Sequence, residues 1–177
     1  MIMNRSKLLT AAPIKNMEKG KKIAHGRSYG LSHAGYDIRI KQTVVFLNLL
    51  LFRLVFIKGD NGWSMKFGNF ALASAIEEFQ MTNNLVGIVH DKSSNAREAI
   101  SVFNTVIEPG WKGFLTLELV FHGIKPIVLK SGTPIAQVIF HKIAEHSEYK
   151  GKYQNQQNKP VKAIREESRR NKVEKTK

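Results

Sequence analysis

The sequence predicts a mainly β domain, a barrel or sandwich of short antiparallel strands. Three observations carry this: apolar residues alternate with polar ones over short segments, turn-forming clusters separate those segments at short intervals, and sustained helical periodicity is missing. The first thirty residues are polar and glycine-containing. "GRSYGLSHAGYDIRIKQTVVF" then passes from turn residues into alternating sequence. Strands are expected at Tyr36–Ile40, around Val44, and at Phe70–Ser74, Leu85–His90, Ile100–Ile107, Phe114–Phe121, Ile127–Lys130 and Ile135–His141. The separators "KGDNG", "TNN", "EPGWKG", "HGIKP" and "KSGTP" are rich in the residues that turns require. Two short helical pieces are expected: "ASAIEEF", which abuts a strand, and "SSNAREA", whose N-terminus Ser93 or Ser94 can cap.

A chain of 177 residues with 42% apolar content suffices for one domain with a real core. That domain is expected over 1–158, followed by a basic, flexible tail over 159–177, whose "KPVKAIREESRRNKVEKTK" has little to bury. The most hydrophobic stretch, Val44 to Ile57, is shorter than the roughly 20 residues of a spanning helix and is broken by Asn48 and Arg53. A buried strand pair or core segment fits it better. The start of the chain has no apolar signal-peptide region, so a cytoplasmic location without a membrane partner is expected. A formal net charge of +14 favours anionic ligands. The absence of cysteine removes disulfides and thiolate zinc sites from consideration.

One carboxylate stands out. In "IEPGWKGFLTLEL" the strand period places Leu115, Leu117, Leu119 and Phe121 on one face, and Phe114, Thr116, Glu118 and Val120 on the other. Glu118 is then either an ordinary charge on a half-solvated face or a proton-transfer group on a site wall. In "DKSSNAR", Lys92, Ser93, Ser94, a helix N-terminus and Arg97 can converge on an anion, with Ser93 and Arg97 on one helical face; a plain cap is the alternative. "YKGKYQNQQ", Tyr149 to Gln157, suits a segment that folds over a polyanion, or a solvated connector.

Other chemistries lack their parts. The six histidines form no metal-binding pairing, and neither the H-x-E nor the P-C-x-x-C element of zinc deaminases is present. There is no Walker loop, no G-x-G-x-x-G and no G-x-S-x-G elbow. Without an aromatic RNA-binding platform, nucleic acid is not an expected partner.

Taken in order, "SYGLSHAGYDIRI", "FALASAIEEFQMTNNLVGIVHDKSSNAR", "VIEPGWKGFLTLEL", "GTPIAQVIF" and "YKGKYQNQQ" resemble the dCTP deaminase branch of the dUTPase superfamily. The resemblance implies a distorted β-barrel, jelly-roll-like fold with short helices, assembled as a homotrimer with each site built from neighbouring subunits. It implies zinc-independent conversion of dCTP to dUTP and ammonia, with Glu118, Ser93 and Arg97 as catalytic residues. Lys92, Ser94, Glu108, Thr116, Leu117, Tyr149, Lys152 and Gln156 would bind substrate: Glu108 the 3′-hydroxyl, the Thr116–Leu117 backbone the base, and the last three the triphosphate with its Mg²⁺. A bifunctional enzyme giving dUMP, a relative acting on a modified dCTP, and a non-catalytic nucleotide or nucleic-acid binder are the alternatives.

Overall fold

The computed structural model describes residues 1–49 and 51–165. The rest of the expected tail, 166–177, lies outside the described residues. After β1 (Ile2–Met3) and α1 (Arg5–Ala11) come β2 (Lys21–Ala24), β3 (Arg27–Leu31), β4 (Tyr36–Arg39), β5 (Thr43–Leu49), β6 (Phe52–Gly59), β7 (Gly62–Phe67) and β8 (Phe70–Gln80). Then follow β9 (Leu85–Asp91), α2 (Ser93–Ala96), β10 (Ile100–Val102), β11 (Val106–Ile107), β12 (Lys112–Phe121), β13 (Ile127–Leu129) and β14 (Pro134–Lys142).

Three antiparallel sheets wrap one core. The largest runs β11-β9-β14-β4-β3-β2, with β1 added to β14; the others are β10-β12-β8 and β13-β5-β6-β7. Side-chain alternation builds the core as the period-two pattern requires: Leu117, Leu119 and Phe121 of β12 pack inward with Tyr36, Ile38, Phe79, Val138 and Phe140, all at most 2% exposed. The mainly β expectation holds, and the long apolar stretch is indeed a strand pair, β5 with β6. Its inward residues Val44, Phe46, Val55 and Ile57 are buried. Its outward face, continued by Trp63, Met65 and Phe67 of the edge strand β7, is exposed apolar surface.

Three expectations are corrected. "ASAIEEF" is part of β8 rather than a helix: Ala71, Ala73, Ala75 and Phe79 alternate inward against β12, and pairing overrides the local helix preference of Ala and Glu. Ile100–Ile107 is two strands, β10 on β12 and β11 on β9, because the chain changes sheets between them. The polar start carries α1, held by fully buried Leu8, and the β2–β3 hairpin.

β8 is also what bends the barrel. Between the pairs Phe114–Glu78 and Thr116–Ser74 it carries three residues opposite Leu115 alone. This bulge swings Ala75 onto Ile40 and points Glu77 at Arg39, whose backbone N–H and Nε both donate to the carboxylate at 2.9 Å. Burial raises the Glu77 pKa above its ordinary value even with the guanidinium beside it.

Candidate active site

The outer face of β12 opens onto a cavity of about 550 Å³. Glu118, Glu108, Thr116, Tyr149 and Gln156 all line it, so five of the expected residues meet within one chain. Glu118 projects beside Leu72, its cross-strand neighbour on β8, with Phe70 two pairs further on. Its Oε2 is buried and has no hydrogen-bond partner among the described residues. Burial in this apolar wall pushes its pKa up, against a smaller opposing pull from its own main-chain hydrogen bond. A carboxyl group in that state holds a proton more readily than an exposed one, as a group that must both take and give protons requires.

The β12 backbone beside it is left open. β10 covers β12 only from Leu119 to Phe121, the Phe103 N–H donates to the Glu118 carbonyl, and the Phe114 N–H donates to the Gln156 carbonyl. Between them, no strand pairs with Leu115 to Leu117 on that side among the described residues. The Leu117 side chain is buried in the core, so this residue can serve the cavity only through its backbone.

The segment after β14 is already folded over the cavity. Tyr149 N–H donates to the Pro109 carbonyl, the Gln154 side chain bonds Gly110 O, Tyr149 O and Lys112 N–H, and Trp111 Nε1 donates to Tyr153 O at 2.6 Å. Gly113 makes a parallel bridge with Gln156, at a φ of +128° open only to glycine. The first residues of the expected tail continue this cover: Val161 N–H donates to Thr116 Oγ1 at 3.0 Å, Ile164 N–H to Tyr153 Oη, and Val161 and Ala163 line the cavity. Lys152 lies outside the lining, its Nζ 5.4 Å from the Tyr153 ring centroid.

Lys92, Ser93, Ser94 and Arg97 are not among the residues lining this cavity. They sit on α2 and its entry, where Ser93 and Arg97 are exposed and one turn apart, the Arg97 N–H donating to the Ser93 carbonyl. The expected serine cap is absent: Lys92 is the N-cap residue, and no side chain caps the helix. Lys92 is instead ion-paired with buried Asp37 and hydrogen-bonded to Ser28. Ser94 Oγ is buried without a partner among the described residues. Asn95 fastens the helix by donating to the carbonyls of Pro134 and Ile135. Asp91, a carboxylate next to this segment, is turned away from it, accepting from Val102 N–H at 2.6 Å. Asp91→Ala is expected to lower stability by about 1–2 kcal/mol in denaturant melts, because it strands a strand-end N–H.

The sequence reading missed Phe70, Leu72, Trp111 and Tyr153, which shape the cavity. Tyr153 follows Tyr149 by four residues in the same lid text, a signal that could have found it. Val161 and Ala163, in a polar tail, give none.

The comparisons with known proteins agree with this architecture. The sequence matches the dCTP deaminase-like family over residues 8–143. A dCTP deaminase of Chlamydia abortus is 34% identical over 157 residues, covering 80% of this chain and 81% of that protein. That of Protochlamydia amoebophila is 36% identical over 155 residues, 78% of this chain and 80% of that one. Among solved structures, 2′-deoxycytidine 5′-triphosphate deaminase from Agrobacterium tumefaciens superposes with a TM-score of 0.53 at 15% identity, over 80% of this chain and 48% of that one. A variant dUTPase of Staphylococcus bacteriophage 80alpha with dUpNHpp superposes with a TM-score of 0.51 at 15% identity, over 89% and 91%. The structural likenesses speak for the fold, and the sequence matches settle the lineage: the chain belongs to the dCTP deaminase-like family.

Proposed function

We propose that this protein hydrolyses the 4-amino group of dCTP, giving dUTP and ammonia for pyrimidine deoxynucleotide metabolism, without zinc. The observation that carries the reading is Glu118 in the wall of the cavity, its Oε2 buried and unpartnered among the described residues and its carboxyl pKa raised. Glu118 would take a proton from water as the hydroxide adds to C4 and pass it to N3, then carry the proton of the new C4 hydroxyl to the amine as the C4–N bond breaks, so that one water enters and one ammonia leaves. The open backbone at Thr116 and Leu117 would read the base edge, and Glu108 would accept from the 3′-hydroxyl. Tyr149, Lys152 and Gln156 would close over the triphosphate.

Ser93 and Arg97 lie outside the cavity of their own chain and are exposed, as a homotrimer needs if they are to serve a neighbour's Glu118. There Ser93 would position the water and base, and Arg97 would stabilise developing charge. Ser94 would add its unpartnered hydroxyl, while Lys92, tied to Asp37, would act through the loop's placement. No three His, Asp or Glu side chains cluster as a metal site among the described residues, so Mg²⁺ would enter on the triphosphate oxygens.

Purified protein incubated with dCTP and Mg²⁺ is expected to release ammonia and dUTP in equal amounts. Release of dUMP and pyrophosphate would assign the bifunctional reaction, and no ammonia from dCTP would reject deamination.

A further inference from the structure

We propose that a second cavity, beside the catalytic one, is a binding site for a nucleoside polyphosphate. It measures about 510 Å³, within the size range of small-molecule sites. Its walls are β7, the Asp60–Asn61 turn that joins β6 to β7, and the strap Lys159–Lys162. Leu72 lines both cavities, which the strap separates: Lys159, Pro160 and Lys162 face this one, Val161 and Ala163 the other.

Three cations converge on the space, Lys66 from β7 and Lys159 and Lys162 from the strap. None has an ion-pair partner among the described residues. The one acidic side chain in the lining, Asp60, is already occupied by Lys41 at 2.8 Å, which also holds the Asn158 carbonyl at 2.7 Å. A phosphate chain is the ligand class that would take charge-assisted hydrogen bonds from all three lysines at once.

Trp63 supplies the second half of the recognition. Trp63 lines the cavity where β7 begins beside the Asp60–Asn61 turn, is 56% exposed, and has Lys58 Nζ 6.0 Å from its ring centroid. An exposed indole next to a phosphate-binding group is a stacking platform for a base. The floor is apolar at Ile57 and Leu72, the Gln42 amide is spent on Ser74 and the Ser64 hydroxyl donates to Ile57 O, leaving Asn61 to contact polar edges. An occupant that fixes Lys159 and Lys162 would also fix Val161 and Ala163, and with them a wall of the catalytic cavity.

The test is calorimetric titration of the full chain with ATP, inorganic triphosphate and a short single-stranded oligodeoxynucleotide. ATP is expected to bind and to lose about tenfold in affinity in Lys66→Gln/Lys162→Gln. It is expected to lose about threefold or more in Trp63→Ala, while keeping its affinity in Glu108→Gln, whose side chain lines the catalytic cavity and not this one. Four outcomes would overturn the proposal: no binding at millimolar ATP; a double variant within twofold of wild type with an unchanged melting temperature; inorganic triphosphate equal to ATP; or the oligonucleotide binding more tightly than ATP through the same lysines. None of them depends on whether dCTP releases ammonia, so this proposal and the deaminase reading fail separately.

Discussion

Glu118→Gln is expected to lower turnover of dCTP by about 10³-fold while leaving nucleotide affinity within a few-fold of wild type, since an amide keeps the shape but cannot shuttle protons. The same change is expected to raise the melting temperature at neutral pH. Burial holds the Glu118 pKa above 4.5, its ordinary value, so the fold opposes ionisation. A raised carboxyl pKa favours the native state fully below the unfolded value, and that benefit is lost as pH rises through the folded value. Glu77 has a shift of the same sign, so the wild type should lose stability upward from about pH 4.5 through both groups. Glu118→Gln should remove its own part of that slope and leave the Glu77 part. The acid limb of kcat/KM in the wild type should lie above 4.5 for the same reason. Thermal melts and rates across pH 4.5–8 check both, and turnover within tenfold of wild type would remove Glu118 from the chemistry.

Gly113→Val should disable the lid and not the core. A Cβ at Gly113 would lie 2.5 Å from Gln156 N and 2.7 Å from Gln156 O, both backbone atoms that cannot step aside, and φ there is +128°. The Gly113–Gln156 bridge and the Phe114–Gln156 hydrogen bond would both open, displacing Gln156 and loosening the lid that leads into it. Misplacement of substrate-clamping groups by about 1 Å costs on the order of 100-fold, and a loss of that size in kcat/KM is expected. Trypsin should cut after Lys150 or Lys152 faster than in the wild type, while circular dichroism of the strands stays the same. An unchanged cleavage rate with kcat/KM within threefold would show that the lid does not need this contact.

The sequence made the β12 face legible because a strand's period is rigid: once Leu117 and Leu119 must be buried, Glu118 must point the other way. The β5–β6 pair was legible for a similar reason, since no other packing suits so apolar a run. What stayed hidden depends on partners distant in sequence. Lys92 reads as an anion-binding cation, yet Asp37, 55 residues earlier, claims it. "ASAIEEF" favours a helix until β12 is set beside it. The start of the tail has nothing to recommend it as part of a site, because its hold on Thr116 and Tyr153 is made by its backbone N–H groups, which every residue but proline owns.

Among the described residues β7, with Trp63, Met65 and Phe67 on its outer side, pairs with β6 alone and leaves its other margin bare. Such a margin invites neighbouring molecules to stack strand upon strand, and a formal net charge of +14 opposes their approach. Salt shortens the reach of that repulsion to about 8–10 Å at physiological strength. Added salt is therefore expected to promote clumping of this protein, and dilute buffer to oppose it.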